Sequence, residues 1–218
     1  MLKVSQLNAG YGQAQVLFDV SFEVPQGSMV LIQGLNGAGK SSLLKAIMGL
    51  MPGASGSICW QGQALEKLAP HLRSQKGLGY VPEDRRLFAA LTVRQNLEIA
   101  VPAQGPITAA LAEPLRLKDV LDLFPALAHM LDRPASQMSG GEQQMLALGR
   151  TLMTQAQMLL LDEPCEGIAP VLVQSVAQAL EKLKKQGFTL LIAEQNRILS
   201  GMADRVLHLA GGQLTVLH

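Results

Sequence analysis

Residues 34–41 bring glycines, a lysine and a serine together in the pattern G-x-x-x-x-G-K-S/T. They read Gly34-Leu35-Asn36-Gly37-Ala38-Gly39-Lys40-Ser41. Glycines let backbone N–H groups turn towards phosphate oxygens without side-chain clashes. Lys40 can reach the β- and γ-phosphates, and the hydroxyl of Ser41 can hold Mg²⁺. The pattern predicts a phosphate-binding loop. The alternative is a glycine-rich turn that carries Lys-Ser by chance, and the strand-like run before it and helical pattern after it count against that.

Two adjacent carboxylates, Asp162 and Glu163, follow an apolar run at residues 158–161. Ligands of open α/β sheets bind where the strands end at their carboxyl side. We therefore expect Asp162 to hold Mg²⁺, directly or through water, and Glu163 to orient or deprotonate an attacking water. A charged turn after a strand is the commoner explanation of such a pair taken alone. The phosphate loop upstream favours the catalytic interpretation.

A serine, two glycines and a glutamate open another predicted helix. Residues 138–144 read Met138-Ser139-Gly140-Gly141-Glu142-Gln143-Gln144. Ser139 as N-cap with Glu142 three residues later forms a capping box. The free N–H groups at the start of such a helix can also donate to a phosphate. The segment therefore has a local explanation and a ligand-binding one, and the two are compatible.

The elements that must position these groups alternate between strands and helices. A buried strand at 29–32 leads through the phosphate loop into a helix at about 41–50. Apolar runs at 158–161 and 189–193 predict two more strands, with a helix from Pro170 to Lys185 between them. This order predicts an α/β fold with a mostly parallel sheet and crossover helices.

The rest of the chain has a different pattern. Residues 2–7 and 16–24 predict short strands of an N-terminal antiparallel β subdomain. The segment of about 84–138 predicts an inserted helical subdomain, and Gly211-Gly212 predicts a closing hairpin between 206–207 and 214–216. Prolines and one glycine interrupt the helical patterns of the insertion at Pro102, Gly105-Pro106, Pro114, Pro125 and Pro134.

Composition limits the class of protein. A length of 218 residues predicts one compact domain spanning residues 1–218. The net charge of +1 argues against a nucleic-acid partner. Two cysteines, Cys59 and Cys165, form no disulfide or zinc spacing and indicate a reducing compartment. The N-terminus has no signal-peptide pattern. The longest strongly apolar run, 158–161, is far below the roughly 20 residues that span a bilayer. We expect a soluble chain that reaches a membrane only through a partner.

The phosphate loop, the Ser-Gly-Gly-Glu-Gln signature at 139–143 and the acidic pair, in this order along the chain, resemble the motifs of the ATP-binding subunits of ABC transporters. The resemblance covers essentially the whole chain and implies the ABC ATPase fold, a P-loop NTPase core that uses ATP and Mg²⁺. It also implies a head-to-tail dimer in which each Ser-Gly-Gly-Glu signature contacts ATP held by the other subunit. The nucleotide-contacting residues would be Tyr11, Gly34, Asn36, Gly37, Ala38, Gly39, Lys40, Ser41, Ser42, Ser139, Gly140, Gly141 and Glu142.

Single residues that match the family's usual residues, or differ from them, indicate which branch of the family the chain resembles. Tyr11-Gly12 falls where the family has an aromatic residue that stacks on adenine, although a plain Tyr-Gly turn is the alternative. The family's usual metal-side glutamine is Glu83 here, its switch histidine is Gln195, and the usual aspartate after the acidic pair is Ala169. An amide at Gln195 can donate a hydrogen bond to the γ-phosphate but cannot carry a charge.

Together these variants resemble the smaller ATPase subunit of importers for branched-chain amino acids, with importers for urea and short amides close behind. The resemblance implies integral-membrane permeases, a second ATP-binding subunit and a periplasmic binding protein as partners. It places the chain at the cytoplasmic face of the inner membrane. The sequence allows either a heterodimer with the second ATP-binding subunit or a homodimer of this chain.

Other functions explain less of the sequence. ABC ATPases that act on DNA or ribosomes usually carry long coiled coils or two fused ATPase domains, for which 218 residues leave no room. A P-loop kinase or GTPase would leave the signature unexplained, and the guanine-reading Asn-Lys-x-Asp motif is absent. Two features stay open: Cys165 is either a packed apolar residue or a redox switch, and Arg85-Arg86 is either a solvated surface or a partner contact.

Overall fold

The computed structural model describes residues 1–103, 115–195 and 197–215. The strands are β1 (Leu2–Tyr11), β2 (Ala14–Val24), β3 (Met29–Gln33), β4 (Ser55–Trp60), β5 (Gln63–Ala64), β6 (Leu78–Val81), β7 (Met158–Asp162), β8 (Thr189–Ala193), β9 (Arg205–Ala210) and β10 (Gln213–Thr215). The α-helices are α1 (Lys40–Met48), α2 (Pro70–Gln75), α3 (Val93–Glu98), α4 (Leu117–Leu123), α5 (Pro125–Ala128), α6 (Gly140–Met153), α7 (Pro170–Lys185) and α8 (Arg197–Ser200).

A six-stranded sheet forms the centre of the fold, in the order β10-β9-β3-β8-β7-β6. All neighbouring strands in it are parallel except β10, which pairs antiparallel with β9. The residues of β7 and β8 are all buried, because helices and loops cover both faces of a parallel sheet. This sheet confirms the predicted α/β fold with its mostly parallel core.

The parallel direction of β3, β8 and β7 determines where the predicted site residues lie. The phosphate loop follows β3, Asp162 ends β7, and Gln195 follows β8. Because parallel strands bring their carboxyl ends to one edge, these three segments meet at the same edge of the sheet.

A second, antiparallel sheet has the order β2-β1-β4-β5. Its apolar side chains share one buried cluster with α1 and one face of the central sheet, including Leu17, Trp60, Leu43 and Ile32. The antiparallel N-terminal subdomain predicted from 2–7 and 16–24 is therefore confirmed, with longer strands than expected.

Between β6 and β7 the described chain is helical, with α3, α4, α5, a 3-10 turn at Ala135–Gln137 and α6. Pro125 opens α5 and Pro134 precedes the 3-10 turn, so two of the predicted breaks begin new elements. The other predicted breaks at Gly105-Pro106 and Pro114 lie outside the described residues. The helices pack on α6 through a second apolar cluster that includes Val120, Leu127 and Leu148.

Helix boundaries follow their caps. The helix predicted at about 41–50 ends at Met48, because Gly49 takes a left-handed conformation (φ 82°) and its N–H bonds to the Ala46 carbonyl. The helix predicted from Pro170 to Lys185 has those bounds. The predicted hairpin at Gly211-Gly212 joins β9 and β10, although the end of its second strand at Val216 lies outside the described residues.

Candidate active site

The phosphate loop is shaped by glycines that no other residue could replace without strain. Gly37 and Gly39 have φ values of 81° and 105°, a region that side chains disfavour. A Cβ added to Gly34 would lie 2.2 Å from the carbonyl oxygen of Leu209. The buried ammonium of Lys40 donates to the carbonyl of Gly34 (3.0 Å). The loop therefore places a positive charge at its centre, as phosphate binding requires.

Lys40 also contacts the acid that follows β7. Its Nζ lies 3.1 Å from Oε1 of Glu163, and the two side chains are 3% and 11% exposed. Glu163 takes a positive φ of 47°, and its N–H donates to the carbonyl of Ala193 (2.8 Å). Burial alone would raise the pKa of Glu163, but a hydrogen bond from Glu166 and the Lys40 ammonium outweigh burial and lower it. Glu163 is thus an ionised carboxylate held at the phosphate loop.

Asp162 is more deeply buried than Glu163 and contacts a different residue of the loop, Ser41. The Ser41 hydroxyl donates to its Oδ1 (2.8 Å), and the Tyr80 hydroxyl donates to its Oδ2 (3.1 Å). Burial raises the pKa of Asp162, and these two hydrogen bonds oppose that rise. A hydroxyl oxygen beside a carboxylate is the kind of oxygen-donor set that Mg²⁺ prefers. Ser41 and Asp162 therefore fit a magnesium ion.

Eight of the predicted residues line one cleft of about 250 Å³. Predicted members of its wall are Asn36, Gly37, Gly39, Lys40, Ser41, Ser42, Glu83 and Glu163. The Nε2 of Gln195 donates to Oδ1 of Asn36 (2.5 Å), which places the predicted switch residue against the loop. Tyr11 is 54% exposed at the end of β1, with its hydroxyl 3.3 Å from Oγ of Ser42. Its ring is open for stacking beside the loop.

The signature forms the capped start of α6. The Ser139 N–H donates to Glu142 Oε2 (2.7 Å), and the Glu142 N–H donates to Ser139 Oγ (3.4 Å). A Cβ on Gly141 would lie 2.1 Å from Cδ1 of Leu172, so the Leu172 side chain of α7 packs directly on this glycine and would have to move to admit a larger residue. Within the described chain, Ser139, Gly140, Gly141 and Glu142 stay outside the wall of the phosphate cleft. The structure thus does not bring the signature to its own phosphate loop.

Three further groups contact the predicted residues and were missed from the sequence. Tyr80 bonds to Asp162, Glu166 lines the cleft and bonds to Glu163, and Glu194 accepts from the N–H of Gln195. The hydrogen bond to Glu163 is the largest of several effects that raise the pKa of Glu166 to about 7. Their positions, close in sequence to Glu83, Glu163 and Gln195, were the only signal that could have found them.

The two features that the sequence left open lie beside the site. Cys165 is buried, and burial together with Glu194 raises the pKa of its thiol to about 12, which disfavours the reactive thiolate and supports the packed alternative. Arg85 donates from Nε to Oε1 of Gln144 (3.0 Å), so it ties its loop to α6. Arg86 is exposed and pairs with Asp84 (3.1 Å).

Comparison with known proteins decides the family. The family model described as "ABC transporter" matches residues 17–166, which is most of the chain and includes the phosphate loop, the signature and the acidic pair. The chain belongs to the ABC transporter family. It is therefore an ATP-binding and ATP-hydrolysing subunit.

Two relatives lie close within this family. The chain is 41% identical over 219 aligned residues to BraG of Pseudomonas aeruginosa, a high-affinity branched-chain amino acid transport ATP-binding protein, covering 100% of the chain and 92% of BraG. It is 38% identical to LivF of Archaeoglobus fulgidus, a probable branched-chain amino acid transport ATP-binding protein, covering 90% of the chain and 82% of LivF.

A solved structure confirms the fold. The crystal structure of a nucleotide-free ATP-binding cassette from an ABC transporter matches with a TM-score of 0.84 and 27% identity, covering 99% of the chain and 90% of that cassette. The ABC ATPase fold expected from the motifs is therefore confirmed. No helix among the described residues is long and apolar enough to cross a membrane.

Proposed function

We propose that the chain powers the import of branched-chain amino acids by binding and hydrolysing Mg-ATP. The observation that carries this proposal is the 41% identity to BraG over the full chain. The glutamine at 195, the glutamate at 83 and the alanine at 169 support it, because they depart from the common ABC pattern together. We infer that residues 1–218 form one ATPase domain, with about 84–138 as its helical subdomain.

The ATP-site roles follow from the contacts around the cleft. Lys40 binds the β- and γ-phosphates, supported by the glycine-rich loop that surrounds its ammonium. Ser41 and Asp162 would hold Mg²⁺, which would supply positive charge to stabilise the phosphates. Glu83, in the cleft wall, completes the metal side, and the exposed ring of Tyr11 stacks on adenine.

Glu163 acts as the general base for the attacking water. In the nucleotide-free chain its carboxylate pairs with Lys40. Phosphate oxygens compete for the same ammonium, so ATP draws Lys40 away and leaves Glu163 free to accept a proton from water. Gln195 reaches the loop from the end of β8 and donates a hydrogen bond to the γ-phosphate in place of Asn36.

The signature completes a site in a second ATPase subunit. Ser139 caps α6, and the N–H groups of Gly140 and Gly141 lie at the positive end of that helix. Because these groups lie outside their own cleft, they serve nucleotide held across a dimer interface. A second, different ATPase subunit is the proposed partner.

Permease subunits are the proposed membrane partners, at the cytoplasmic face of the inner membrane. A groove of about 410 Å³ lies between α1, α2 and the helical segment, and is lined by Leu50, Phe88 and Ile99. Phe88 is 50% and Ile99 60% exposed. Exposed apolar side chains grouped in one groove mark interaction sites. A cytoplasmic helix of a permease fits this groove, and a periplasmic binding protein would deliver the solute.

Transport assays in cells that lack the chain test this function. Uptake of labelled leucine, isoleucine and valine should fall on deletion and return with the wild-type chain but not with Lys40→Ala. The exposed Lys67 offers a matched control, since Lys67→Ala makes the same change away from the cleft and should restore uptake. Unchanged leucine uptake with impaired urea or amide uptake would move the assignment to the related importers.

A further inference from the structure

Glu194 is a buried carboxylate between the two loops that carry the proposed hydrolytic groups. It follows β8 directly, precedes Gln195 and is 5% exposed. A carboxylate removed from water to this extent must find hydrogen-bond partners, because an unpaired buried charge is strongly unfavourable. The identity of those partners determines what the residue does.

Each oxygen of Glu194 accepts a backbone N–H from a different loop. Oε1 accepts from Gln195 (2.8 Å), and Oε2 accepts from Cys165 (2.9 Å), two residues after Glu163. The Cys165 thiol also hydrogen-bonds to this carboxylate. One side chain therefore joins the loop after β7 to the loop after β8. Hydrogen bonds from backbone N–H groups to an ionised acceptor are among the stronger ones in proteins.

The strands themselves do not depend on this side chain. Residues of β7 and β8 are paired up to Asp162 and Ala193, and the N–H of Glu194 bonds to the carbonyl of Ile32 (3.1 Å). These backbone bonds would remain with any residue except proline at 194. The carboxylate acts beyond the last pair, where the chain leaves the sheet and where Glu163 and Gln195 project towards the cleft.

We propose that Glu194 is a positioning residue for ATP hydrolysis, which fixes Gln195 and the loop of Glu163 relative to each other. The inference rests on the proposed roles of Glu163 and Gln195. Gln195 already contacts Asn36 of the phosphate loop, so its backbone position sets where its side chain reaches. Glu163 has a strained, positive φ, and a loop in that conformation is held by its surroundings.

Glu194→Gln tests the inference with almost no change of shape. The amide keeps one acceptor oxygen but presents an NH₂ group to the other backbone N–H, so one of the two bonds is lost. The full-length variant should bind a fluorescent ATP analogue like the wild type, with kcat for ATP lowered about 10- to 100-fold, the usual cost of misplaced reacting groups. Hydrogen exchange should accelerate at the amides of Cys165 and Gln195.

Glu66→Gln is the matched control for a purely structural effect. Glu66 also accepts a backbone N–H, from Ile58 (2.6 Å), and the Ser57 hydroxyl (2.8 Å), but it lies outside the cleft wall. Both bonds end on Oε1, which the amide of Gln can retain, so this variant should lose only the charge and keep wild-type kcat. If Glu194→Gln behaved in the same way, with unchanged kcat and slow exchange at both amides, Glu194 would have no positioning role.

A double-mutant cycle separates this inference from the proposed site. Gln195→Ala alone should lower kcat. Adding Glu194→Gln to that variant should lower kcat by a smaller factor than adding it to the wild type, because Glu194 acts partly through Gln195. A full, additive loss would overturn the link between Glu194 and Gln195 while leaving Gln195 in its role. Wild-type turnover by Gln195→Ala would instead overturn the role proposed for Gln195 itself.

Discussion

The buried ion pair joins Lys40, the proposed phosphate-binding residue, to Glu163, the proposed base for hydrolysis. The two charges lie 3.1 Å apart with almost no exposure to solvent. An ammonium in this position is neutralised until a stronger set of negative oxygens arrives. In the proposed mechanism the triphosphate of ATP supplies such a set, so nucleotide binding and the release of Glu163 as base would occur in one exchange of partners.

Lys40→Ala should therefore weaken ATP binding. The variant removes the ammonium that would bond to two phosphates, and hydrogen bonds to charged groups contribute about 1.5–3 kcal/mol, or roughly a 10- to 100-fold loss of affinity. Titration with a fluorescent ATP analogue measures the change, with Lys67→Ala as the control. Equal affinities of the Lys40→Ala and wild-type chains would remove Lys40 from the site.

Glu166→Gln should change how turnover depends on pH. The raised pKa of about 7 means that Glu166 holds its proton below pH 7 and donates it in a hydrogen bond to Glu163. Above pH 7 that proton leaves, the donated bond is lost and Glu163 becomes a better base. Glu83 and Glu194 also face Glu166, and both negative charges raise its pKa further.

In the wild type, kcat should rise as the pH passes through about 7. In Glu166→Gln the amide donates at every pH, so that step should disappear and kcat should stay at its low-pH level. Initial rates between pH 6 and pH 8.5 at saturating Mg-ATP would show the difference (a range of about 1 to 1.5 units around the midpoint). The same step in both chains would exclude Glu166 as its source.

The site residues that the sequence predicted lie within short motifs, whereas the missed ones act through contacts with residues distant in the sequence. Lys40, Ser41 and Asp162 belong to short motifs, in which neighbouring positions already define the chemistry. Tyr80 and Glu194 act through contacts with residues far along the chain, such as the bond from Tyr80 to Asp162. No pattern of spacing encodes such a contact, because it depends on which strands become neighbours.

Among the elements, helix α6 combines a structural cap with a proposed ligand site. Ser139 and Glu142 satisfy each other's N–H groups, and the proposed function assigns the same turn to nucleotide held by a partner. Because Asp is as good an N-cap as Ser, Ser139→Asp should keep the stability of the helix. It also adds a negative charge where a phosphate would bind.

Ser139→Asp should accordingly unfold at the wild-type temperature and bind nucleotide normally as an isolated chain, while dimer-dependent ATP turnover is lost. Thr92→Asp is the matched control, since Thr92 caps α3 in the same kind of capping box. That variant should retain turnover. If both variants hydrolysed ATP at the wild-type rate, Ser139 would be a helix cap only.

Elements with strong apolar patterns were predictable, and weakly patterned ones were not. Strands β7 and β8 are runs of buried Leu and Ile, and α7 has a proline at its start and lysines at its end. Strand β4 begins Ser-Gly-Ser with three exposed residues, so only its last three residues are apolar and the apolar signal is too short to identify a strand. It forms because β1 offers an edge for antiparallel pairing, which only the assembled sheet provides.

At the scale of the whole molecule, the proposed function assigns two separate half-sites to each chain. The phosphate cleft lies at the carboxyl edge of the central sheet, and the signature lies at the start of α6 outside that cleft. A second ATPase subunit must complete each of them if the proposed function holds. ATP then contributes to the dimer interface itself, so its hydrolysis weakens the dimer.

Glu163→Gln should make this coupling visible by trapping the closed dimer. The substitution removes the base, which costs about 10²–10⁴-fold in turnover, while Asp162 and Ser41 keep their contacts for Mg²⁺. It also releases Lys40 from its ion pair, so ATP binding should be preserved or strengthened.

Light scattering after size-exclusion chromatography should show that the variant alone dimerises poorly with ATP and closes tightly with a second, different ATPase subunit. The double variant Lys40→Ala/Glu163→Gln should remain monomeric. A strong ATP-dependent homodimer that ignores the added subunit would contradict the two-ATPase importer, but it would leave ATP hydrolysis by this chain in place.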